Sequence, residues 1–234
     1  MNRTLVIARK EIKELLKNKG ILLTALGLAL FFSIFTSIAV SKGRGSTSVV
    51  SLDSSVFYLS AIVGLFIAYM STSQIFLREK ADRVIETLMC APINLRQIWL
   101  GKVLGVSVPA YLLSLLTVLL ITVISSILSS SLLLPATAIL VYVLLVLPAL
   151  IAAFAGLLGF VQFRLGMRES RILNFVIFAP LFGGLYGAGY VMGGSFAVSW
   201  THVGILFGIS ALLLVVTAYL TKRLSKERIV TTLP

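Results

Sequence analysis

Between Arg78 and Lys102 the chain reads REKADRVIETLMCAPINLRQIWLGK, a compact charged segment between two long apolar runs. Its first half has the spacing of an amphipathic helix from about Glu79 to Cys90. Val84, Ile85, Leu88 and Met89 make an apolar face, and Glu79, Asp82, Arg83 and Glu86 a charged one. Pro92 bars continuation and disfavours helix at Ala91. Asn94 can then cap a second helix. Such a helix–turn–helix at a membrane surface offers ion pairing and hydrogen bonding to another surface, and it suits a groove on a soluble partner.

Other chemistries find no support. The Gly101-Lys102 pair lacks the first glycine and the final Ser/Thr of a phosphate-binding loop, GxxxxGK[ST]. No paired carboxylates and no Ser-His-Asp set stand in a workable place. His202 is the one histidine, so no metal site is expected. Cys90 is the single cysteine and cannot form an intrachain disulfide.

The elements that position this segment are membrane helices. The chain is 59% hydrophobic and 12% charged, with mean hydropathy +1.07. That is too apolar for a soluble domain. Uncharged runs of about 18 residues or more read as helices long enough to cross the hydrocarbon core. Six are expected: Ile21–Val40, Ser55–Leu77, Val103–Leu128, Pro135–Phe163, Ile172–Met192 and His202–Thr221. They are continuous rather than alternating, which excludes a barrel. No Asp, Glu, Lys or Arg lies within these limits, which disfavours an ion-coupled carrier.

Charge then sets the expected topology. Eighteen of the twenty Lys and Arg fall on one side of six crossings, so the positive-inside rule places both termini in the cytoplasm. The +12 net charge is accounted for by an anionic cytoplasmic leaflet, and no nucleic-acid partner is needed. The loops, including an outer loop at Ser41–Ser54, are too short for a soluble domain, so residues 1–234 read as one domain.

Five further patterns stand out. Residues 4–19 form an amphipathic helix, with Leu5, Ala8, Ile12, Leu15 and Leu16 on one face and Arg9, Lys10, Lys13 and Lys17 mostly on the other; it is expected to lie in the headgroup plane, apolar face down. Small residues four apart mark helix-packing faces at Gly101/Gly105, Ala155/Gly159, Gly183/Gly187, Gly189/Gly193 and Gly204/Gly208. Trp99, Trp200, Tyr58 and Tyr219 stand where aromatic belts are expected. Pro109, Pro148 and Pro180 lie inside spans and should kink them. Hydroxyls such as Ser71, Thr72, Ser73, Ser114 and Thr117 are expected mainly to bond their own helix backbones.

The charged segment resembles that of the ABC-2-type transporter permeases. The resemblance rests on Arg78-Glu79-Lys80, Ile85-Glu86, Leu88-Met89-Cys90-Ala91-Pro92 and Gln97-Ile98-Trp99-Leu100-Gly101-Lys102, placed between the second and third of six spans. The sequence departs from the family at Arg83-Val84, commonly Gly-Thr, and at Gln97, commonly an acid. The resemblance implies an all-α integral membrane fold of the type V exporter kind, with residues 4–19 as an elbow helix and 79–91 as a cytoplasmic coupling helix. It implies that Glu79, Asp82, Arg83, Glu86 and Thr87 face a separate ATP-binding subunit. Arg164, Arg168 and Arg171 would make a second contact. Gly183, Gly184, Gly187 and Gly189 fall in a glycine-rich stretch readable as an outer gate. The chain would bind no cofactor, ATP and magnesium residing on the partner, and it would act as a dimer in export. The alternative from another class is a membrane anchor or an assembly or immunity component without cargo.

Overall fold

The computed structural model describes residues 3–41, 46–81, 94–164 and 198–222, together with Glu169, Ile172, Val176, Ala179 and Gly183. Among these residues the protein is all helical. Helix α1 is Arg3–Lys17, α2 is Lys19–Ser41, α3 is Ser46–Ala81 and α4 is Leu95–Leu128. Helix α5 is continuous but composite: Thr137–Val141, a π turn at Tyr142–Val146, then Leu147–Arg164. Helix α6 is Trp200–Lys222.

Five of these helices are long and apolar enough to cross a membrane, over Lys19–Ser41, Leu52–Phe76, Leu95–Leu128, Thr137–Gln162 and Trp200–Thr221. They match five of the six expected runs. The sixth, Ile172–Met192, lies outside the described residues except at Ile172, Val176, Ala179 and Gly183. The expected outer loop is shorter than read: helix α3 starts at Ser46, so much of Ser41–Ser54 is helix. Helix α4 starts at Leu95, directly after Asn94, as the capping residue suggested. Asn94 has the extended backbone of a cap (φ −73, ψ 138), but its side chain makes no capping bond. Its carbonyl instead accepts from the backbone of Gln97 and Ile98.

Two long helices, α3 and α4, form the centre. At about 1.5 Å per residue each exceeds the roughly 30 Å of a hydrocarbon core, so their ends stand beyond it. Helix α2 packs on α4 through a stride of small buried residues, Ala25, Ala29, Ser33 and Ser37. Ser33 Oγ donates to the Thr117 carbonyl at 3.5 Å, and Ser37 Oγ to the Ile121 carbonyl at 3.3 Å. Small side chains allow this approach, and packing rather than water exclusion drives association inside lipid.

The other hydroxyls divide. Thr72 and Thr117 bond their own helices, to the carbonyls of Ala68 and Leu113. Ser114 departs from that expectation: its Oγ donates across to the Ser60 carbonyl of α3 at 2.7 Å. Pro109 lies inside α4. Pro148 follows the π turn of α5 by two residues, consistent with a proline that withdraws one donor from the preceding ladder.

Candidate functional site

The segment 82–93 is bracketed by the last turns of α3 and the first turns of α4. The chain's basic flanks (α1, the end of α3, the start of α4 and the ends of α5 and α6) gather at this end of the bundle, here called the basic end.

Helix α1 has three faces. Ile7, Ala8, Glu11 and Leu15 turn toward the bundle, with Ala8, Glu11 and Leu15 buried. Leu5 and Leu16 are exposed and Ile12 half-buried, forming a separate apolar stripe. Arg9, Lys10, Lys13 and Lys17 are exposed on a third side. The two-faced reading is therefore corrected: what looked like one apolar face is split between the bundle and the outer surface, and the bundle-facing half carries a carboxylate.

The expected Gly101/Gly105 packing face is where α1 seats. A Cβ at Gly101 would lie 2.7 Å from Ile7 Cβ and 3.0 Å from the Thr4 carbonyl. One at Gly105 would lie 2.5 Å from Glu11 Cβ. With no side chain in the way, Lys102 Nζ reaches Glu11 Oε1 at 2.9 Å, and the two side chains are only 1% and 2% exposed. Lys102 Nζ also lies 5.5 Å from the centre of the Phe76 ring on α3, within cation–π reach. A charge this deep persists only because it is paired, and removing one partner alone would cost on the order of 3–5 kcal/mol.

The same layer extends to α5 and α6. A Cβ at Gly159 would meet Phe76 Cζ at 2.8 Å. One at Gly156 would meet Trp99 Cζ2 at 3.1 Å and Thr217 Cβ at 3.7 Å. Trp99 is thus not a belt residue but a 5% exposed wedge between α4 and α5. Trp200 and Tyr219, by contrast, are more than half exposed, as a belt requires. At the corner between α1 and α2, Asn18 Oδ1 accepts from the Ile21 backbone at 3.4 Å and so caps α2. Its Nδ2 donates to Gln74 Oε1 of α3 at 3.2 Å.

The far end of the bundle is joined by neutral and half-neutral bonds. Tyr142 Oη donates to the Phe57 carbonyl at 3.1 Å, the two rings 4.6 Å apart. Asp53, 8% exposed, accepts from the backbone N–H of Ala136 at 3.0 Å, at the start of α5. Asp53 and Lys102 both lay just outside the spans as drawn from sequence, yet both are buried in helices long enough to cross. The expectation of uncharged spans is corrected to that extent.

The sequence-selected residues stand as follows. Glu79 belongs to α3, which runs unbroken through Ala81. Asp82, Arg83, Glu86 and Thr87 lie outside the described residues, as does the remainder of the 79–91 helix. Arg164 is the last residue of α5, while Arg168 and Arg171 lie outside the described residues. Around Gly183 nothing approaches a would-be Cβ within 4 Å, and Gly184, Gly187 and Gly189 are outside the described residues.

The arrangement is a packed layer centred on the Glu11–Lys102 pair. It joins four helices of the bundle to α1 in one layer beside the charged segment. The profile of the ABC-2 family transporter proteins matches residues 9–181, most of the chain. The chain belongs to the ABC-2 transporter family. A search of curated proteins finds no match. The protein is therefore a multi-pass ABC-2-type permease, the membrane component of an ABC transporter.

The permease's buried residues Glu11, Lys102 and Asp53 were not selected from sequence. Glu11 and Lys102 are 91 positions apart, so no local spacing could join them. The available signal was the Gly101/Gly105 stride, which says that a neighbour comes close at that face, combined with the lone acid on the protein-facing stripe of α1.

Proposed function

We propose that this permease works as a dimer and exports a substrate across the cytoplasmic membrane, driven by a separate ATP-binding subunit that carries the ATP and magnesium. Both termini and the basic end face the cytoplasm, and Ile172–Met192 supplies a sixth crossing. The ATP-binding subunit docks on the helix at 79–91 through Glu79, Asp82, Arg83, Glu86 and Thr87. Arg164, Arg168 and Arg171 add a second contact. The glycine-rich run containing Gly183, Gly184, Gly187 and Gly189 forms the outer gate.

The observation that carries this reading is the layer at the basic end. Phe76 and Lys102 flank the docking segment on either side and lie against each other. Lys102 is tied to α1 by Glu11, and Phe76 packs against Gly159 of α5. A push on residues 82–93 would thus enter the bundle through α3 and α4 together and pass to α1 and α5. A gate is biased when the partner's contact energy differs between two states.

Co-expression with the ATP-binding subunits of the same genome, followed by detergent pull-down and an ATPase assay, tests the reading. A stable complex with stimulated turnover is expected; no complex with any candidate overturns it. Glu86→Arg should then reduce recovery of the complex without lowering the permease's own unfolding midpoint. Unchanged recovery would remove Glu86 from the contact.

A further inference from the structure

The three-faced shape of α1 has a use that neither transport coupling nor helix packing explains. Arg9, Lys13 and Lys17 follow one another at four-residue intervals, so they line one ridge. All three are exposed, and among the described residues none has an acidic partner. Lys10, next to the ridge, is the one that pairs, with Glu14 at 3.5 Å. The ridge borders an open surface hollow along α1 that also takes in Val6, Lys10 and Glu14. On the other flank of the ridge lies the exposed apolar stripe of Leu5 and Leu16. The third flank is fixed to the bundle by Glu11 and Lys102.

From these features we infer that α1 carries a binding site for an anionic phospholipid. The phosphate of the headgroup sits in the hollow against Arg9, Lys13 and Lys17, and the acyl chains run along Leu5, Ile12 and Leu16. Charge complementarity selects the headgroup: Arg9, Lys13 and Lys17 have no acidic partner among the described residues, and the one carboxylate of the hollow, Glu14, is paired with Lys10, so the ridge attracts a net-negative lipid and discriminates against a zwitterionic one, whose own cation would face it. The apolar stripe selects a lipid over a free anion, because a soluble phosphate would leave Leu5 and Leu16 in water. Guanidinium and ammonium groups both bind phosphate oxygens, the former in a bidentate fashion. A juxtamembrane cation contributes about fivefold in affinity for an anionic surface, so a ridge of three gives a preference well above tenfold. The fixed third flank matters. Because α1 cannot roll without breaking a buried ion pair, the ridge is presented at one orientation rather than sampling the surface as a free amphipathic helix would.

The site stands on α1 alone and does not depend on an ATP-binding partner. The test uses the full permease chain in nanodiscs of phosphatidylcholine, with or without phosphatidylglycerol. Lipid retained after detergent extraction is counted by native mass spectrometry, and the thermal unfolding midpoint is followed in parallel. Wild type should retain phosphatidylglycerol in preference to phosphatidylcholine, and its midpoint should rise when phosphatidylglycerol is present. The triple variant R9Q/K13Q/K17Q should lose the preference by at least about tenfold while unfolding as wild type does in phosphatidylcholine alone, since all three side chains are exposed. The variant R9K/K13R/K17R should keep the preference. Equal retention of the two lipids by wild type, or undiminished selectivity in the triple Gln variant, overturns the inference. So does displacement of phosphatidylglycerol by millimolar inorganic phosphate, which would make the ridge a free-anion site.

Discussion

The two ends of this bundle are joined by different physics. At the basic end, α1, α3 and α4 meet around a lysine and a glutamate that are almost wholly removed from solvent, and glycines let the backbones close in on both sides. At the far end, α3 and α5 meet through a tyrosine hydroxyl and a backbone amide held by Asp53. A buried ion pair adds little net stability over apolar side chains of the same size, yet breaking it by removing one member is strongly unfavourable. The neutral Tyr142 bond loses far less when it goes, and Asp53 is held by a backbone amide with no opposite charge to strand. The basic end is therefore brittle, with one preferred seating, and the far end compliant. The proposed function calls for such a division, with displacement entering at one end and an opening made at the other.

Mutations can sharpen or break this contrast, and they should fall in a definite order. Lys102→Met should have the largest effect, about 3–5 kcal/mol, because it leaves the Glu11 carboxylate buried without its cation. Pairing it with Glu11→Leu should recover most of that loss, as read by thermal unfolding in detergent. If the single variant costs less than about 1 kcal/mol, as a surface ion pair would, the brittle end is not brittle. Gly105→Ala should rank next, at about 1–3 kcal/mol, because its Cβ would press on Glu11 Cβ and push α1 outward. The same substitution at Gly204 or Gly208, where no described atom lies within 4 Å of the new Cβ, is the control and should be close to neutral. Tyr142→Phe should cost least, about 0.5–1.5 kcal/mol, since it removes one neutral bond and keeps the ring against Phe57. A Tyr142 effect larger than that of Lys102 would reverse the comparison.

How much of this was legible in the sequence follows from how far each signal reaches. Five apolar runs announced five helices because a crossing is a local property of about 20 consecutive residues. The Gly101/Gly105 stride announced a close approach for the same reason. What remained hidden was identity across distance. Nothing in local spacing singles out Glu11 or joins it to Lys102, 91 positions away; only the close approach at the two glycines brings them together. Trp99 shows the same limit: its place near a span end suggested the interface, but Gly156, far along the chain, had left room for it in the interior. In α1, periodicity separated apolar from charged residues but could not say that the apolar set faced two different neighbours. The proposed docking role of Asp82, Arg83, Glu86 and Thr87, which lie outside the described residues, rests on the family resemblance.

The π turn in α5 carries a consequence of its own. Tyr142 meets Phe57 of α3, and Ile151 fills the space beside Gly64 of the same helix. Nine residues separate them, and at about 100° per residue an uninterrupted α-helix would set them on opposite sides. The wider turn at Tyr142–Val146 takes up one extra residue and so swings Tyr142 back by about 100° toward α3. A single-codon deletion within 143–146 would therefore remove the wide turn and not the contact. It would restore regular winding with eight steps instead of nine from Tyr142 to Ile151, and at about 100° each these leave the two residues set as the π turn sets them now, so α5 can be shortened by one residue here and keep its bond to Phe57.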